Sequence, residues 1–471
     1  MLNIFGGLVA YNEKSELVPL AAEKWTLSAD GKIYTFTLRS DLKFQNGKMV
    51  KASDVVWSFT RSLDPKRKAP AAFSLTDIVG AADYLDGKAT EISGIKAPDD
   101  KTVEITLNQI TPYFLAKLPL PIAAILDRTE VEANERWWEK HAASVGPYSL
   151  QEWKKGQSIR LAANPYYALG KPKVDVEFVY VADAQARQAM YEAGEVDIVT
   201  SVPDAELERI RKDPALSKQL IEQNVPSYRT YGLVLNPLAY EPFKDVRVRQ
   251  AVSMAIDRKT LVEKVFTTCA VPEGLVPKGT IAGYNPNVKV PEYNPEMAKK
   301  LLAEAGYPNA QNLPPLTIVQ VGQGQSDAYM QYFESQLRTN LGMQIKLEVM
   351  ERGKYLTELR KRTSLQAFFE GVSGDYLDPH AMLSAPLSSR STSNLYGYSN
   401  PEFDRLIASA DAELNAAKRF ELYGQAEQLA LNDAIWTPMC QGYTKILAKP
   451  YVTGVRLNPL GLMPYDRIVV S

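Results

Sequence analysis

The stretch GVSGDYLDPH, Gly371 to His380, sets two glycines, a serine, two acids, a proline and one of the chain's two histidines within ten residues. Three kinds of chemistry use such residues: proton transfer, metal ligation and recognition of a bound molecule. The first two need more than this stretch holds. A triad or zinc site would require His380 or His141 with several placed partners, and no spacing proposes them. No GxGxxG follows a strand, and Walker, GxSxG and HExxH signatures are absent from the sequence. The 55 acids leave a glycosidase-like carboxylate pair open, but nothing nominates one. Recognition fits better. The run LQAFF reads as a strand, and α/β sheets place ligand sites beyond the carboxyl ends of strands. Gly371 and Gly374 would let a ligand approach the backbone closely. An extended peptide could add as a strand on the N–H and C=O groups of Gly371, Val372 and Ser373, with its α-ammonium on Asp375. The plainer alternative stays open: Asp375 and Asp378 are turn formers, and His380 has an ordinary loop role.

The elements that must position this stretch can be read from periodicity. Lys32 to Phe44 (KIYTFTLRSDLKF) alternates Tyr34, Phe36 and Leu38 against Thr35, Thr37 and Arg39, a half-buried strand between Asp30-Gly31 and Asn46-Gly47 turns. KASDVVWSFTRSLDP predicts a helix with Ser53 as N-cap and Asp64-Pro65 as its end. Strands are expected on both sides of Lys155-Gly156. The segment 173–200 reads as strand, helix closed by Gly194, then strand: a βαβ-like unit in a mixed sheet. FKDVRVRQAVSMAIDRKTLVEKVF is helical with a break at Asp257, which can cap the second piece. Asn294 caps a helix closed by Gly306, and LTIVQV, a helix over 326–340 and MQIKLEV form a second βαβ unit. A two-part helix, DRLIASADAELNAAKRFELYGQAEQLALND, and the strand-like pieces ILAKPYV and DRIVVS end the chain.

At 471 residues the chain must divide into several domains. Its formal net charge of −1 gives no electrostatic reason to expect nucleic acid or an anionic membrane. No apolar run reaches the roughly 20 residues needed to cross a bilayer, and the start lacks a basic n-region and a small-residue cleavage site. Twenty-five tyrosines and six tryptophans suit a binding cleft as well as a core. Cys269 and Cys440 can pair or stay as buried thiols.

Seven stretches together resemble the extracytoplasmic solute-binding proteins of peptide ABC importers, the dipeptide and oligopeptide type of family 5. They are YTFTLRSDLKFQNGKMVKASDVVWSF, GPYSLQEWKKG, NPYYALGKPKVD, PFKDVRVRQAVSMAIDRKTLVEKV, YNPEMAKKLLAEAGYP, SGDYLDPHAML and YSNPEFDRLI, spread from 34 to 407. The resemblance implies a periplasmic-binding-protein-like α/β fold, with mixed sheets flanked by helices in two lobes hinged about a cleft, and an additional smaller α+β domain. Lobe I is expected over 1–13, 148–268 and 445–471, the extra domain over 14–147, and lobe II over 269–444. It implies a monomer outside the cytoplasm, in the periplasm or on the outer face of the membrane, that passes peptides to a permease without a covalent step, cofactor or metal. In the family the aspartate of the "DY" meets the ligand's ammonium; that residue is Asp375, with Gly371, Val372 and Ser373 as pairing backbone and Phe369, Gly374, Tyr376 and His380 as further pocket lining. Two positions depart. An arginine and a cysteine common in oligopeptide-binding members are Phe369 and Ser373 here, which leaves the ligand's carboxylate without its usual partner. The resemblance also implies a further N-terminal segment before IFGGLVAYNE, with the leader, that the given start lacks. Other members take sugars, opine-like compounds or nickel, and these solutes remain alternatives, as does a hydrolase with a carboxylate pair.

Overall fold

The computed structural model describes the chain except residues 1, 2, 13, 135, 138–142, 223–226, 267, 268, 323 and 325. His141 thus lies outside the described residues. The chain divides into two compact units, residues 1–222 with 445–471, and residues 223–444.

In the first unit, Ile33–Leu38 alternates as its sequence predicts: Tyr34, Phe36 and Leu38 are buried. It lies between Ala22–Leu27 and Thr102–Thr106 in an antiparallel four-stranded sheet, with Phe36 opposite Trp25 and Val103. The helix Ala52–Ser62 lays Val55 and Phe59 into the same core, which spans Leu8 to Val145. Ser53 lies inside this helix rather than capping it, because Asp54 reaches back to accept the Lys51 N–H at 2.9 Å. A separate core joins Tyr148, Leu150 and Leu161 to Ile446, Val452 and Ile468. The expected βαβ-like unit over 173–200 does not form. Its helix Ala184–Ala193 forms between an Asp183 cap and Gly194 at φ +80°, but its two strands join different sheets. Val176–Val179 pairs with Ser158–Ala163, whereas Ile198–Val199 pairs antiparallel with Lys445–Ala448, a partner nearly 250 positions away.

The second unit is built on a six-stranded mixed sheet. Its strands are β1 (Arg229–Leu235), β2 (Cys269–Ala270), β3 (Leu316–Val321), β4 (Ile345–Met350), β5 (Ala367–Ser373) and β6 (Trp436–Gly442), in the order β2-β6-β1-β5-β3-β4. The boundary between the two compact units falls near 222, and β1 sits inside this sheet, between β5 and β6. β3 and β4 are parallel, joined through the helix Ala328–Leu341 as the βαβ pattern predicts. Helices Val246–Met254 and Arg258–Lys264 break at Asp257, whose carboxylate accepts from Lys259 and Thr260 N–H. Phe243, Val252, Leu302, Ile318, Phe333 and Met439 fill the core. Cys269 on β2 and Cys440 on β6 form a disulfide with Cα atoms 5.5 Å apart. Two helices behind the sheet, α1 (Pro401–Asp411) and α2 (Ala416–Asp433), pack on each other and reach the loop that follows β5.

Candidate functional site

β5 runs further than LQAFF suggests and carries Gly371, Val372 and Ser373 inside the strand. Along one edge it pairs with β1 throughout, Ser373 opposite Arg229 and Gly371 opposite Tyr231. Along its other edge β3 meets it only at Ala367 and Phe368. Beyond Phe368, that edge has no strand partner among the described residues. On that edge the Gly371 N–H donates to Glu370 Oε1 at 3.1 Å. An edge without a partner strand can take an added extended segment, which would replace this side-chain acceptor.

The glycines do not leave the room expected for a ligand. A Cβ on Gly371 would lie 2.6 Å from the Tyr231 ring, and one on Gly374 would lie 2.1 Å from the Tyr228 ring. Neighbouring tyrosines of this chain occupy the space that the missing side chains create. Phe369, weighed as pocket lining or strand core, is half-buried in an aromatic cluster. Its ring centroid lies 4.7 Å from Tyr329, 5.7 Å from Phe266 and Phe333, and 6.0 Å from Tyr231.

After Ser373 the chain turns, and its polar groups divide into two sets. Tyr376 is buried, and its hydroxyl lies 2.5 Å from His380 Nδ1. The other imidazole nitrogen, Nε2, is 3.9 Å from Asp411 on α1. Asp411 accepts from Ser384 Oγ at 2.9 Å and Tyr423 OH at 2.6 Å; burial pushes its carboxyl up to about 6 despite these donors. Asp378 caps the next turn by accepting from the His380 N–H at 3.0 Å, and its carboxylate pairs with the buried Arg419 of α2. The Tyr228 hydroxyl donates to the Asp378 carbonyl at 2.5 Å. Tyr376, Asp378 and His380 thus sit in a network that fixes the turn.

Asp375 is different. Its side chain is exposed, and it has no hydrogen bond or ion pair among the described residues. The surrounding protein removes part of its solvent without supplying a counter-charge, and this desolvation raises its pKa above the ordinary carboxylate value. A carboxylate left in that state gains from an incoming cation. Among the described residues, no group of three or more His, Cys, Asp or Glu could hold a metal ion. Two residues escape local sequence reasoning. Arg419 is 41 positions from Asp378, and Arg229 reaches Ser373 only through the β1–β5 register. The one local signal for Arg229 is a cation in PSYRTYGLVL at the mouth of an apolar strand.

Residues 16–394 match the family model described as bacterial extracellular solute-binding proteins, family 5 Middle. The chain belongs to this family. This family 5 protein is 30% identical to the dipeptide-binding protein DppE of Bacillus subtilis (strain 168), over 98% of its own length and 85% of the relative's. The Escherichia coli murein tripeptide-binding protein MppA superposes with a TM-score of 0.76 at 30% identity, covering 99% of this chain and 92% of MppA. Haemophilus influenzae OppA in complex with the peptide RPPGFSPFR gives a TM-score of 0.76 at 26% identity, over 100% of this chain and 93% of that one. The α/β fold of family 5 is therefore the fold of this chain, as its motifs imply. No helix among the described residues is long and apolar enough to cross a membrane.

Proposed function

We propose that the protein is the substrate-binding component of an ABC importer and carries extended peptides to a membrane permease. The ligand adds along the free edge of β5, beside Gly371, Val372 and Ser373, and its α-ammonium pairs with Asp375. One observation carries the reading: an acid with no partner among the described residues stands at the end of a strand whose edge is open. Relatives named for dipeptides, a murein tripeptide and a bound nonapeptide support peptides over sugars, opine-like compounds or nickel. Capture and release need no bond to break, so no catalytic residue is assigned. The separate core spanning Leu8 to Val145 supports the extra domain over 14–147. The disulfide suits an oxidising compartment, which supports the periplasm or the outer face of the membrane.

Asp375→Asn keeps the shape and removes the charge. It should weaken binding of a tripeptide by more than about tenfold in calorimetry, since charge-assisted hydrogen bonds at partly desolvated sites are the strong ones. Unchanged affinity in a folded variant would remove Asp375 from the site.

A further inference from the structure

Arg229 is exposed, and among the described residues its guanidinium hydrogen-bonds only to hydroxyls: Tyr231 OH at 3.1 Å and Ser373 Oγ at 3.3 Å. It also lies over the Tyr231 ring, 5.6 Å from the centroid. It has no ion pair with a carboxylate among the described residues, whereas Arg209, Arg211, Arg247 and Arg405 each have one. Position makes this telling. Arg229 pairs in register with Ser373, and Ser373 precedes Asp375 by two residues. Asp375 follows the last residue of β5 by two positions, so the point where Arg229 crosses β5 lies within about 7 Å of it, the span of two extended residues.

We infer that Arg229 is a specificity-determining residue, which receives a carboxylate carried within the first two residues of the peptide ligand. The inference rests on the binding mode proposed above. A ligand whose ammonium is on Asp375 and which runs back along the open edge of β5 places its first or second residue opposite Ser373. Residues opposite one another on adjacent strands project to one face, so Arg229, Ser373 and that ligand residue share a face. The guanidinium already spans the one strand spacing, about 4.8 Å, that separates β1 from β5. The ligand lies one spacing further, and an aspartate or glutamate side chain closes the remainder. The α-carboxylate of a dipeptide would occupy the same place. Stacking on Tyr231 and the two hydroxyl contacts hold the guanidinium fork ready without neutralising it. Asp375 and Arg229 together then read a zwitterionic pair of groups: an ammonium, and a carboxylate one or two residues away.

Calorimetry on the full chain separates the possibilities. The probes are the amide-capped tripeptides Ala-Glu-Ala and Ala-Gln-Ala, Glu-Ala-Ala and Gln-Ala-Ala, together with Ala-Ala and its amide. Wild type should prefer at least one carboxylate member over its uncharged counterpart by about tenfold. Arg229→Gln should erase that preference while leaving the uncharged peptide's affinity within about twofold, and Arg229→Lys should restore part of it. Preference among the tripeptides assigns the carboxylate to a side chain; preference for free Ala-Ala over its amide assigns it to the ligand's carboxyl end. Equal affinity within every pair, with tight binding of all six, overturns the inference and leaves the peptide reading intact. Failure of every peptide to bind the folded protein overturns both.

Discussion

Gly371–Asp375 and Tyr376–His380 adjoin in the chain and carry similar polar residues, yet the structure treats them in opposite ways. Asp378 is buried, paired with Arg419 and used to cap a turn. Asp375, three positions earlier, is exposed and without a partner among the described residues. Asp378 holds the turn in place; Asp375 is what the turn presents. An acid whose charge is already compensated gains little from a ligand, whereas an uncompensated, partly desolvated acid gains much. The contrast separates scaffold from proposed contact more sharply than residue type does.

Arg419→Met should break that contrast from the scaffold side with the largest effect. It leaves Asp378 buried without its charge partner, a change that costs about 3–5 kcal/mol. Thermal or urea unfolding should register that loss, whereas Asp375→Asn should change stability by no more than about 0.5 kcal/mol. Equal losses for the two variants would abolish the distinction.

Glu427 sharpens the comparison with a third acid, one buried on α2 and satisfied by backbone alone. Its carboxylate accepts from Leu275 N–H at 2.6 Å and Val276 N–H at 2.9 Å, and burial pushes its pKa up to about 7 from 4.5. A raised acid pKa means that the folded state keeps a proton the unfolded state gives up. The stability it contributes is complete below about pH 4.5 and is lost as pH rises through about 7, a span worth about 3 kcal/mol. Glu427→Gln keeps the acceptor and should remove that slope from a pH series of unfolding measurements. A slope unchanged in the variant would place the titration elsewhere.

Gly374→Ala should cost less than Arg419→Met. Its Cβ would press on the Tyr228 ring, whose hydroxyl holds the Asp378 carbonyl, and overpacking of this kind costs about 1–3 kcal/mol. Peptide affinity should fall with stability if the turn positions Asp375. Affinity that falls while stability holds would instead place a ligand against Gly374.

Local patterns were legible where local physics decides. The Asp257 and Asn294 caps, the β3–helix–β4 unit and the alternation of Ile33–Leu38 all depend on residues a few positions apart. The misplaced strand has a different cause. Ile198–Val199 left its expected sheet because the chain's last portion offers it a partner. In the proposed site, the motif nominates Asp375 and the backbone before it, and peptide calorimetry is what tests them. Whether Cys269 meets Cys440, that Tyr228 and Tyr231 fill the glycine notches, and that Arg229 and Arg419 stand beside the motif are all products of strand register and helix packing. No short window of sequence contains them.

The central claim is that Asp375 waits for an ammonium, and the most direct measurement compares calorimetric binding of one tripeptide with a free amino terminus and the same tripeptide acetylated there. Wild type should bind the free form more than about tenfold tighter, and Asp375→Asn should bring the two together. Equal binding of both forms by the wild-type protein would contradict the account.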